Sequence, residues 1–186
     1  METDSRAWHG WGEPLAAGLN LLYTVGYLQA WPGSFAVAAA GSALFMVVCF
    51  QNKLKAESAL WLFYVGFAIW GGLHVSDVWP EPQQVPWSHH LISIGIGLLA
   101  WMTITWALKR QTDADLPGWD AFTTAGSLLA TYWMVRFVHA NWVYWIVIDA
   151  VAVGLYWRKG LHWGAGLMAI YTLLAAEGYW DFLKWI

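Results

Sequence analysis

The chain has 186 residues, of which 59% are hydrophobic and 11% charged, with a formal net charge of −3. A soluble domain carries about 25% charged residues, so the composition excludes an ordinary soluble fold. The balance of charge gives no reason to invoke nucleic acid, and the lone Cys49, inside an apolar run, offers neither a disulfide nor a metal site.

Mean hydropathy is only +0.45 because the chain holds 17 Trp and 8 Tyr, which common scales score near or below zero. The uncharged stretches decide the class. Pro14 to Asn52, Ser58 to Ser76, Pro82 to Leu108 and Gly160 to Ala176 lack Asp, Glu, Lys and Arg. They meet or approach the roughly 20 residues a spanning helix needs. The class is an all-α polytopic membrane protein, since helices satisfy their own backbone in lipid. The opening METDSRAWHGWGEP has no basic region followed by an apolar core, so no cleavable signal is expected there.

Seven helices are predicted in chain order: about 14–30, 32–52, 57–76, 88–108, 119–138, 142–157 and 161–182. Trp31-Pro32-Gly33 divides the first long run. Pro80, Pro82 and Pro86 extend the third connection. Pro117-Gly118 precedes the fifth helix, and Lys159-Gly160 turns into the seventh.

Charge orients the bundle. Lys53 and Lys55, Lys109 and Arg110, and Arg158 and Lys159 occupy alternate connections, and Arg6 joins them on that side. The positive-inside rule places the N-terminus inside and the C-terminus outside. Trp31, Trp79, Trp87, Trp106, Trp119 and Trp185 fall near helix ends, where an aromatic belt forms.

A weak repeat runs through the chain. Positions 106 apart share Lys53 with Lys159, Ala59 with Ala165, Gly72 with Gly178 and Trp79 with Trp185. One transmembrane domain results: repeat one at about 14–79, a linking helix at about 88–108 and repeat two at about 119–185. This 3+1+3 plan is a parallel repeat of SWEET type about an axis along the membrane normal.

The sixth helix carries the chemistry. In NWVYWIVIDAVAVGLYWRKG, Asp149 lies seven residues past Trp142, about 10 Å along the axis. That is roughly mid-depth in a core about 30 Å thick. An ionisable group there is a functional-site hypothesis by default. Trp142, Trp145 and Asp149 share one face at i, i+3, i+7. Two rings and a carboxylate can sandwich a flat, cationic ring. At a spacing of 106 they map to Ala36, Ala39 and Ala43. Either a lopsided pocket lies between the halves, or small residues simply let helices pack.

Other readings stand beside this one. Trp142 also suits a belt, Trp145 suits core packing, and Asp149 suits an ion pair with Arg136. Glu177 is a second deep acid, for a structural hydrogen bond, the pathway or a proton relay. Asn20, Tyr23, Tyr27, His74, Tyr132 and Trp133 can supply polar or stacking contacts, though each taken singly reads first as packing. His74 with Asp77, and adjacent His89 and His90, fall short of the three or four ligands a metal needs. No H-E-x-x-H, G-x-S-x-G or P-loop occurs, so neither an enzyme nor a cofactor is expected.

These residues resemble the nicotinamide riboside transporter (PnuC) family. The likeness is strongest in WVYWIVIDAVAVGLYWRKGL from Trp142 and EGYWDFLKW from Glu177, with length and plan fitting over nearly the whole chain. It implies a homotrimeric carrier in the bacterial inner membrane, passing a vitamin or vitamin precursor by facilitated diffusion. Phosphorylation inside the cell would then trap the product. Relatives take thiamine and riboflavin as well as nicotinamide riboside. The matching contact positions are Trp142, Trp145 and Asp149, and the family also places Asn at the last. Proton-coupled uptake is the alternative, because two deep acids are present.

Overall fold

The computed structural model describes residues 3–28, 31, 33–74 and 83–183. Among them are seven α-helices: α1 Thr3–Leu28, α2 Ser34–Gln51, α3 Lys55–His74, α4 Trp87–Gln111, α5 Pro117–Val135, α6 Asn141–Arg158 and α7 His162–Leu183. The side chains of Tyr27, His74 and Asp181 lie outside the described residues, as do Asp77, Trp79 and Trp185.

Three boundaries differ from the sequence expectation by three residues or more. Helix α1 runs through Pro14 instead of starting there. Proline's φ is helical, and although it forfeits its N–H bond and its ring crowds the carbonyl four residues earlier, the helix carries on across it. Helix α4 extends through Lys109 and Arg110, where basic residues suit the negative end of the helix dipole. Helix α5 stops at Val135 because Phe137 takes φ 57°. The Phe137 amide bonds Met134 O at 2.9 Å and that of Val138 bonds Trp133 O at 3.0 Å, a Schellman closure.

By length and composition, α2, the Lys55–Leu73 stretch of α3, and α4 are apolar enough to cross a membrane. Each of α2 and α6 packs against its neighbours in sequence: α2 on α1 and α3, α6 on α5 and α7. Across the molecule α3 meets α5 and α1 meets α7, while α4 lies on α5. Helix α4 turns Leu91, Ile92, Ile96 and Leu99 outward, as lipid-facing residues should.

The main core gathers at the end bearing the α2–α3 and α6–α7 turns. Phe45 stacks on Trp61 at 4.7 Å and meets Tyr156 edge-on at 6.2 Å. Leu54, Cys49, Leu155 and Tyr156 are fully buried beside them.

Those two turns have one geometry. In the first, Lys53 (φ 60°) donates to Phe50 O and Leu54 to Cys49 O, at 3.2 and 2.9 Å. In the second, Gly160 (φ 72°) donates to Trp157 O and Leu161 to Tyr156 O, at 3.0 and 2.9 Å. Both are Schellman motifs, and corresponding residues stand 107 apart, not 106.

Two further features keep that spacing. Asp120 on α5 accepts the Ala56 and Glu57 amides at the start of α3, at 3.0 and 2.7 Å. Glu13 on α1 accepts the Gly164 amide near the start of α7 at 2.8 Å. Helix N-termini leave such donors unpaired and favour a carboxylate. Likewise Gly71 lies against the Phe35 ring as Gly178 lies against that of Trp142. At this spacing Trp142, Trp145 and Asp149 correspond to Phe35, Ala38 and Ser42. Letter identities near a turn are too few to fix a helix's rotation, and one residue's slip turns it by about 100°.

Candidate functional site

Helix α6 is anchored at its start by Asn141, whose side-chain amide donates to Val138 O at 2.8 Å. From there its Trp142, Trp145 and Asp149 run down one face. Trp142 is half-buried against Gly178, where an added methyl would sit 2.9 Å from the ring. The close approach exists because Gly178 has no side chain. Trp145 is half-buried and stacks on no described aromatic ring.

Asp149 is 6% exposed, and its carboxylate makes no hydrogen bond to a described residue. Tyr64 on α3, Tyr171 on α7 and Glu57 lie within electrostatic reach of it. A buried carboxylate left unpaired is costly and invites a ligand.

The two tyrosines are themselves held. Tyr64 OH lies 3.4 Å from Thr131 Oγ1. Tyr171 OH lies 3.3 Å from Thr24 Oγ1 and donates to Asn20 O at 3.3 Å. Buried Asn20 turns its amide onto Ala16 O at 2.9 Å and packs on Gly41. Thus Asn20 joins the surroundings of Asp149 through Tyr171. Tyr23, half-buried, packs instead on Phe35 at 6.4 Å.

Other candidates stand elsewhere. Tyr132 is 45% exposed on α5, with the Arg136 guanidinium 4.9 Å above its ring. Arg136 therefore does not pair with Asp149. Trp133 is buried 5.1 Å from the ring of His90, which meets Tyr144 OH at 3.0 Å. Glu177 is exposed and makes no hydrogen bond to a described residue. The side chain of His74 is outside the described residues.

Toward the core, the α6 face reaches Tyr156, seven residues beyond Asp149. The Tyr156 hydroxyl donates to Glu57 Oε2 at 3.1 Å, accepts from Trp61 Nε1 at 2.9 Å and touches Cys49 Sγ at 3.4 Å. Glu57 is 4% exposed. Sequence reasoning missed Glu57, Tyr64, Tyr156 and Tyr171. Tyr156 alone carried a legible signal, the i+7 spacing from Asp149. Glu57 read as a helix start, and its burial depends on α5 and α6 closing over it.

An apolar groove of 370 Å³ lies between α4, α5 and α6, lined by Ile94, Leu98, Trp101, Phe122, Leu129 and Val147. It offers a polar solute almost nothing, and Asp149 does not line it. Among the described residues no three His, Cys, Asp or Glu are placed to hold a metal ion.

Outside the helices, burial holds the His139 imidazole below its ordinary pKa. The Lys159 ammonium, bonded at 2.6 Å, holds Asp115 below the usual carboxylate range.

Comparisons with known proteins agree with this architecture. No curated protein matches the sequence significantly. The chain is similar to the crystal structure of the vitamin B3 transporter PnuC, with a TM-score of 0.71 and 18% identity. The match covers 94% of this chain and 82% of that one. At that identity the likeness establishes the fold, seven helices with no strands among the described residues. A family model described as nicotinamide mononucleotide transporter matches residues 10–186. With nearly its whole length covered by that model, this multi-pass membrane protein belongs to the nicotinamide mononucleotide transporter family.

Proposed function

We propose that this protein carries nicotinamide riboside across the bacterial inner membrane by facilitated diffusion. The observation that carries the reading is the α6 face, where half-buried Trp142 and Trp145 precede a buried, unpaired Asp149 carboxylate. Aromatic walls supply roughly 1–3 kcal/mol per stacked ring, by analogy with base stacking. The carboxylate attracts a pyridinium or accepts hydrogen bonds from ribose hydroxyls and the amide.

The riboside suits this face better than its phosphate ester. A phosphate is recognised by Arg or Lys. Here Lys55 pairs with Asp113 at 3.3 Å and Lys159 with Asp115 at 2.6 Å. Arg110, Arg136 and Arg158 lie over Trp106, Tyr132 and Trp119. None of these cations faces Asp149.

The same carboxylate favours a second flat cation, thiamine, over neutral riboflavin. Two buried acids, Asp149 and Glu57, also support proton-coupled uptake as a rival to passive transport. In our reading the two three-helix units form a parallel repeat about 107 residues apart, linked by α4. The carrier is a homotrimer with its N-terminus cytoplasmic and its C-terminus periplasmic. The basic turns support that orientation.

Calorimetric titration of the purified protein tests the substrate. Nicotinamide riboside should bind at least tenfold tighter than nicotinamide or the phosphorylated riboside. Thiamine binding with no nicotinamide riboside binding overturns the assignment. In sealed vesicles uptake should equilibrate without concentrating the solute and should ignore an imposed pH gradient. Gradient-driven accumulation establishes the proton-coupled rival.

A further inference from the structure

We propose that Glu57 is a second cation-binding carboxylate, met by the solute after it leaves Asp149 and covered at rest by Tyr156. The inference rests on the reading of the solute as a cation, nicotinamide riboside.

Three observations place Glu57 there. The substrate face of α6 leads from Asp149 to Tyr156, one seven-residue step or about 10 Å along the axis. At that level the chain is closed: Tyr156 and Phe45 have no exposure, and Trp61 is 5% exposed. Finally, the Tyr156 hydroxyl caps Glu57 Oε2 at 3.1 Å.

Glu57 is also a buried carboxyl group with no cation beside it. It is 4% exposed, and its surroundings are neutral or acidic: Tyr156, Thr123 and the carboxylate of Asp120. Nearby Lys55 is engaged by Asp113 and by the Phe50 ring at 3.7 Å. Buried carboxylates are normally paired. Asp120 is accounted for by the two α3 amides it accepts. Glu57 keeps only weak, neutral donors, which a cationic ring could outcompete.

A cation leaving Asp149 for the inner side thus faces a barrier of aromatic rings with an anion behind it. Swinging the Tyr156 hydroxyl away opens the passage and bares the counter-charge in one motion. Without Glu57, the cation would cross the buried ring layer with no compensating charge, which is costly in a low dielectric.

The test separates charge from scaffolding in full-length protein. Glutamine has the same shape and still accepts the Tyr156 hydrogen bond. Glu57→Gln should keep nicotinamide riboside affinity within threefold of the parent, because Asp149 is intact. It should slow uptake into proteoliposomes at least tenfold, and Glu57→Asp should restore most of the rate. Uptake at the parental rate in Glu57→Gln overturns the proposal, since a purely structural latch predicts that result. A tenfold loss of affinity also overturns it, by placing Glu57 in the first site. If Glu57→Gln does not fold, Tyr156→Phe carries the test. With Glu57 uncovered, uptake should match or exceed the parent, and a tenfold fall at unchanged affinity overturns the idea. A parent protein that binds no nicotinamide riboside brings down the substrate reading and this inference with it.

Discussion

The hydroxyl of Tyr156 on α6 donates to Glu57 on α3 at 3.1 Å, tying the two halves of the chain together across 99 residues. Trp61 and Cys49 close on the same hydroxyl. Below Asp149, Tyr156, Phe45 and Trp61 are buried together between the two halves. At the other end of α6, Trp142 and Trp145 remain half-buried. The bundle is tight on the side of its basic turns and looser on the side of its tryptophan pair.

The tryptophan pair gives the first prediction. Trp145→Ala should weaken nicotinamide riboside binding at least tenfold, about 1.4 kcal/mol. Trp157→Ala is the control, because Trp157 is 63% exposed at the far end of the same helix. Ligand titration after size-exclusion chromatography reads both. Normal binding in Trp145→Ala with loss in Trp157→Ala would put the pocket half a membrane away.

Asp149 gives the second. Asp149→Ala should lower affinity, whereas Asp149→Asn should keep much of it if hydrogen bonding dominates. If charge dominates, asparagine should behave like alanine toward a cationic ligand. Comparing the two variants in the same titration decides between these contributions.

Gly178 gives the third. A methyl there would lie 2.9 Å from the Trp142 ring, so Gly178→Ala must push the indole aside. Binding should weaken about three- to tenfold in a protein that still folds. Intrinsic tryptophan fluorescence should shift with it. Unchanged affinity would show that Trp142 packs without touching the solute.

The turns give the fourth. Lys53 holds φ 60°, a conformation that costs most residues roughly 1–2 kcal/mol and glycine little. Lys53→Gly should raise the thermal midpoint of the detergent-solubilised protein. Gly160→Ala, at φ 72°, should lower it. A fall in both would mean that the Lys53 side chain matters more than its backbone.

The caps give the fifth. Asp120→Ala strands two amides at the start of α3 and should cost about 0.5–2 kcal/mol, measured by thermal unfolding. Glu13→Ala removes a single, half-buried bond to Gly164 and should cost less. The reverse order would contradict this account of how the helix ends are held.

Sequence alone determined the class, the seven helices and the face of α6 shared by Trp142, Trp145 and Asp149. Helical spacing places Trp142, Trp145 and Asp149 on one side of any helix containing them, whatever surrounds it. Runs without charge likewise spell membrane spans, because lipid penalises charge wherever it falls. What faces that side is decided by tertiary structure, since residues far apart meet only through packing. Thus Glu57 reads in sequence as an exposed helix start, and folding buries it beneath Tyr156. Glu177 reads as a deep acid and Tyr132 first as packing, and the fold leaves both exposed. The spacing of 107 was hidden as well, because Lys53 and Gly160, or Glu13 and Asp120, share backbone geometry or a capping role without sharing identity. Letters report side chains, whereas these likenesses lie in the backbone and in which helix end each carboxylate reaches.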